Sequence, residues 1–114
     1  MTQAVAATAV SLIAVALLTA MSLRADRRFK AERRLPMHWS LNGSINWTVP
    51  RPIALAFTPV LAAACLASLT ALATFLEPRA GQEHLALPMH VFVALVFVGA
   101  HALHLRLIQR TLQR

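Results

Sequence analysis

Apolar positions run unbroken in three long blocks, and the charged positions gather in the two intervals between them and in the tail. The first block, AVAATAVSLIAVALLTAMSL from Ala4 to Leu23, carries no charge. At a rise of about 1.5 Å per residue it is long enough to cross a hydrocarbon core of about 30 Å. A signal peptide would need a basic segment ahead of it, and no Lys or Arg precedes Arg24. The second block, IALAFTPVLAAACLASLTALATFL from Ile53 to Leu76, is also uncharged and contains Pro59. A proline is tolerated in a membrane helix because neighbouring helices can re-satisfy the backbone group it orphans. The third, LALPMHVFVALVFVGAHALHL from Leu85 to Leu105, has a β-branched and aromatic centre that could pass for a strand. An open strand cannot satisfy its backbone in lipid, so a helix is expected there too. The pattern predicts an all-α integral membrane protein of a single domain, residues 1–114. Its transmembrane helices fall at about 4–23, 53–76 and 85–105, with a structured basic loop over 35–52 between the first and second.

Composition agrees with this reading. The chain is 58% hydrophobic with a mean hydropathy of +0.61, and it has eleven Lys+Arg against four Asp+Glu. In a soluble domain a net charge of +7 would point to nucleic acid. Here the cations flank apolar spans, so no nucleic-acid partner is expected. The first loop and the tail together hold ten basic residues, whereas the second loop holds Arg79 alone. Cationic loops stay inside, which predicts a multi-pass protein with its N-terminus outside and its first loop and C-terminus in the cytoplasm. The single cysteine, Cys65, lies within the second span and cannot form an intrachain disulfide.

RADRRFKAERR, from Arg24 to Arg34, has no helix breaker and places Asp26 four residues before Lys30 and Arg28 four before Glu32. It is expected to continue the first helix past the membrane and to attract anionic lipid headgroups. Pro36 then breaks the helix, because it disfavours the α region at Leu35 and lacks an N–H. Asn42-Gly43 is a turn signal, and Trp39 and Trp47 flank it as residues suited to the headgroup level. The expected result is a hairpin-like loop lying against the interface on the inner ends of the helices, with His38 hydrogen-bonded as a pin or as part of a recognition surface.

The order of these residues resembles the bacterial membrane domain of unknown function 1648, which also forms the N-terminal part of SdpI-like toxin-immunity proteins. Leu35-Pro36 matches the family's leucine-proline pair, His38-Trp39 its histidine and aromatic, Gly43 its glycine, and Arg51 stands where its lysine falls. The resemblance covers about Leu35 to Leu76. Asn46 occupies the place of the family's aspartate, the step from proline to histidine is shorter, and no second SdpI-like half follows the third span. What the resemblance implies is a membrane module of a bacterial inner membrane, with Leu35, Pro36, His38, Trp39, Gly43 and Arg51 as its motif. It would put the loop on the outer face, against the charge count, and the charge count is the expectation adopted.

The five histidines raise metal binding. His101 and His104 share a helix face and approach the inner side with His38, but no carboxylate or cysteine is spaced to complete a set. No cofactor is expected. The acids Asp26, Glu32, Glu77 and Glu83 lie outside the spans, so neither an acid/base pair nor an intramembrane carboxylate for proton coupling is visible. The sequons at Asn42 and Asn46 are accidental on an inward loop. Ala63, Ala67 and Ala71 recur every four residues, a ridge along which another helix could approach. The function expected is that of a non-enzymatic signalling, immunity-like or partner-binding membrane module, assembled with itself or with a larger membrane partner. The alternative is a subunit of a small transporter or channel.

Overall fold

The computed structural model describes residues 2–76, 81 and 84–113. Three helices, α1 (Thr2–Arg28), α2 (Arg51–Phe75) and α3 (Ala86–Leu112), form a bundle, and a hairpin of β1 (Arg34–Trp39) and β2 (Ile45–Pro50) joins the first two. Each helix is long and apolar enough to cross a membrane. The β-branched stretch of the third block is helical throughout. The second loop, Glu77 to His84, falls mostly outside the described residues.

The three helices mesh through positions that recur every three and four residues. On α1 the inward face runs through Ala7, Ser11, Ala14, Leu18, Ser22 and Ala25. On α3 it runs through His90, Ala94, Phe97, His101, His104 and Ile108. That spacing keeps one stripe of a helix on its neighbour, and the alanines of α1 let the backbones come close. α1 and α3 run parallel, since Gln3 reaches Leu87 at one end and Arg28 reaches Gln109 at the other. α2 runs antiparallel to both, with Ser22 against Leu55 and Ser11 against Thr70.

Two apolar clusters result. One, at mid-bundle, joins Ala14, Leu66 and Ala94. The other lies at the hairpin end, where Ala25, Phe29, Leu35, Ala54, Leu55 and Ile108 meet Met37, Trp39 and Val49. The hairpin is therefore fastened to the bundle by its own core and is not a free loop. All the described basic residues belong to this end: Arg24 to Arg34, then Arg51, Arg106 and Arg110.

The alanine ridge of α2 lies on its outward face. Ala67 and Ala71 are exposed and Ala63 only half-buried, so the alanine ridge is not a seam within the bundle. It lines an open groove of about 510 Å³ between α1 and α2, opposite Thr8, Leu12 and Val15.

Candidate functional site

The helix α1 stops at Arg28, short of the Arg34 expected from sequence. The cause is Arg51, the first residue of α2. Its Nη1 donates to the carbonyls of Lys30 at 2.8 Å and Glu32 at 2.6 Å, with Phe29 O at 3.4 Å. These carbonyls belong to the turn that follows the helix end, and a guanidinium placed there satisfies them while opposing the negative pole of the helix dipole. Its Nε pairs with Asp26 Oδ1 at 2.8 Å, and its backbone N–H donates to Arg33 O at 2.9 Å. Asp26 is thus engaged across the bundle and not by Lys30. Arg28 likewise bonds Gln109 and not Glu32. Of the six motif residues, Arg51 is the one that ties α1, the hairpin and α2 together.

The hairpin itself follows from its sequence. Ser40 O accepts from Gly43 N–H at 2.9 Å, closing a turn, and Gly43 has φ +87°, a left-handed conformation that glycine adopts without penalty. Asn42 Oδ1 accepts from both the N–H and the hydroxyl of Ser44. The strands pair antiparallel with irregularities between Pro36 and Trp39, and His38 lies opposite Trp47. The two rings stack at 4.5 Å and 5°, and Asn46 Nδ2 donates to His38 Nδ1 at 2.6 Å.

His38, expected as a hydrogen-bonded pin or as part of a recognition surface, is exposed, and its contacts are within the hairpin. Docking is done by Trp39, whose Nε1–H donates to Thr111 Oγ1 at 2.9 Å and whose ring meets His104 edge-on at 5.9 Å. His104 Nε2 lies 3.4 Å from Pro36 O. Leu35 and Pro36 are buried beneath the hairpin. Beyond the turn the hairpin exposes Leu41 completely and Ile45 and Trp47 substantially, three large apolar side chains on the most cationic end of the molecule.

Two further sites, deeper in the bundle, pair a hydroxyl with a histidine. Pro59 has no N–H, so the carbonyl four residues before it, Leu55 O, loses its helical donor. Ser22 Oγ donates to that carbonyl at 2.6 Å. Because the serine proton is used there, the 2.8 Å contact with His101 Nε2 is one in which the imidazole N–H donates to Ser22 Oγ. One residue from each helix is thereby joined in a single chain of hydrogen bonds. The other ring nitrogen, His101 Nδ1, is buried and has no partner among the described residues.

At the opposite end His90 Nδ1–H donates to Ala86 O at 2.7 Å, so Nε2 accepts from Thr70 Oγ1 at 2.9 Å. Thr70 lies 3.3 Å from Ser11. Both histidines are fully buried. Among the described residues neither pair has a carboxylate on the imidazole.

Among the described residues no group of three side chains could hold a metal. His38, His101 and His104 are not brought together as a ligand set: His38 is held by Asn46 and Trp47, and His101 turns to Ser22. Sequence reading missed Ser22, Thr70, His90 and Asp26 as partners, although the helical donor that Pro59 lacks was a visible signal. Family models, curated protein sequences and solved structures offer no match to the chain.

Proposed function

We propose that the chain is a non-enzymatic, three-span membrane module whose rigid hairpin is a recognition surface for a protein partner. The observation that carries the reading is the contrast between the two faces of the hairpin. Trp39, Leu35 and Met37 are committed to the bundle, while Leu41, Ile45 and Trp47 face outward, largely uncovered by the rest of the chain. An exposed apolar cluster with a polar surround is how an unoccupied contact surface presents itself, and tryptophan is the residue that most often dominates such contacts.

The hydroxyl–imidazole pairs support a structural role in place of catalysis. Ser22 and Thr70 spend their protons on Leu55 O and His90, and among the described residues no acid orients either ring. The domain of unknown function 1648 remains the family proposed, on the motif Leu35-Pro36, His38-Trp39, Gly43 and Arg51. In this reading Arg51 and Trp39 build the platform, and His38 stiffens Trp47 by stacking on it.

The concentration of cations at the hairpin end supports a cytoplasmic placement of the hairpin and C-terminus in a bacterial inner membrane, with the N-terminus outside. The groove along Ala63, Ala67 and Ala71 is where a second copy or a larger membrane partner would pack a helix.

The test is site-specific photo-crosslinking in cells from Leu41, with Leu12 on the outward face of α1 as control. A discrete protein adduct from Leu41 that disappears with Trp47→Ala is the expected result. Equal adducts from both positions, or adducts indifferent to Trp47→Ala, would defeat the proposal.

A further inference from the structure

At the hairpin end, α1 and α3 leave between them a groove of about 410 Å³ that the recognition surface does not use. Its floor includes Phe29 and Leu105, and its rim is formed by Arg24, Arg28 and Arg106 with Gln109. Arg24 is the first charge after the apolar block of α1, and Arg106 is the first after that of α3. Since the two helices run parallel, both guanidinium groups arise at the same level, where the hydrocarbon surface of the bundle ends. Arg28 lies one turn farther out, about 6 Å along the axis. It is oriented by donating to Gln109 Oε1 at 3.1 Å.

Among the described residues none of these three arginines is paired with a carboxylate; the ion pair present is Arg51 with Asp26, on the other side of α1. Three guanidinium groups with no carboxylate partner among the described residues line one groove with an apolar floor, a charge that an anion seated there would complement. Guanidinium forks match the oxygens of a phosphate, and the apolar floor below suits what hangs from it.

We propose that this groove is a binding site for one anionic phospholipid, its phosphate held between Arg24 and Arg106 with Arg28 closing over it. The acyl chains run down the outer surface past Met21 and Ala102, which line the inner end of the same groove. The site differs from a diffuse attraction of the whole basic segment to a charged surface, because it needs arginines from two helices and would not form on either alone. It rests on the proposed membrane insertion, and by filling the seam beside Gln109 it would brace the helix end on which Trp39 docks.

The experiment is native mass spectrometry of the full chain released from nanodiscs containing equal phosphatidylglycerol and phosphatidylcholine. The wild type is expected to retain one phosphatidylglycerol, preferred over phosphatidylcholine by about tenfold. Arg24→Gln with Arg106→Gln should bring that preference close to parity. Arg27→Gln with Arg110→Gln removes the same charge from residues outside the groove and should leave the preference intact.

Equal losses in the two double variants would overturn the site in favour of general surface charge. Retention by both would overturn it outright. Displacement of the lipid by millimolar inorganic phosphate, with no lipid preference remaining, would show a phosphate site and not a lipid one. Recovery of every variant from carbonate-washed membranes, with unchanged helical circular dichroism, separates failure of this site from failure of insertion or folding.

Discussion

Replacing Ser22 by alanine removes the central link of the bonds that join the three helices. Two polar groups lose their partner: Leu55 O, already deprived of a helical donor by Pro59, and the His101 imidazole, whose Nδ1 has no partner among the described residues of the parent protein. A buried group left unsatisfied costs about 1–3 kcal/mol in water-soluble cores. Hydrogen bonds between membrane helices average about 0.6 kcal/mol and reach about 1.7. With two groups orphaned together inside the bundle, the expected loss is about 1.5 kcal/mol, or roughly tenfold in the unfolding equilibrium.

Pro59 provides a sharper test of the serine bond. In a Pro59→Ala background the new N–H at position 59 can donate to Leu55 O, so Ser22→Ala should then orphan only the imidazole. The two substitutions should be coupled, with the cost of Ser22→Ala falling by about 0.5–1 kcal/mol in that background. Reversible unfolding in mixed micelles, followed by far-ultraviolet circular dichroism, measures all four corners of the cycle. Additivity within error would refute the assignment of the serine proton to Leu55 O, and with it the tautomer given to His101.

Arg51→Gln should shift the thermal midpoint strongly downward, by the equivalent of about 2–3 kcal/mol, because charge-assisted bonds to three carbonyls and to Asp26 go together. Arg51→Lys should recover only part of this, since an ammonium group cannot reproduce the guanidinium fork; full recovery would mean that the charge alone matters. Trp39→Phe should cost about 1 kcal/mol for the bond to Thr111 and remove the blue-shifted part of the tryptophan emission, whereas Trp47→Phe should remove the red-shifted part at little cost. The reverse spectral assignment would contradict the docking of the hairpin. Gly43→Ala, at φ +87°, should destabilise the hairpin by about 1 kcal/mol in thermal unfolding monitored through the tryptophans.

The three helices were legible in the chain because an uninterrupted apolar block has few other uses, and their register within the blocks matters little to that inference. The ends were harder to read. RADRRFKAERR has every local feature of a continuing helix, including acids four residues from bases. What stops it at Arg28 is Arg51, far along the chain, which captures the carbonyls that further turns would have used. The turn at Asn42-Gly43 and the break at Pro36 were readable as local backbone constraints, and the hairpin followed from them.

Which side of the hairpin would face the bundle was not readable. The irregular pairing between Pro36 and Trp39 decides it, turning Trp39 inward and leaving His38 with Asn46 and Trp47. The histidines gave the least away. His90 and His101 sit on the inward stripe of α3 at the three-and-four spacing, but their partners Thr70 and Ser22 belong to other helices, and no spacing along one segment announces them.

The proposed topology has three crossings that leave the hairpin end on the cytoplasmic side. Single cysteines placed by Ser44→Cys and His84→Cys in a Cys65→Ser background test this directly with a membrane-impermeant maleimide on intact cells. Labelling at position 84 but not at 44, with 44 reacting once the cells are permeabilised, is the predicted result. Labelling at 44 in intact cells would contradict it.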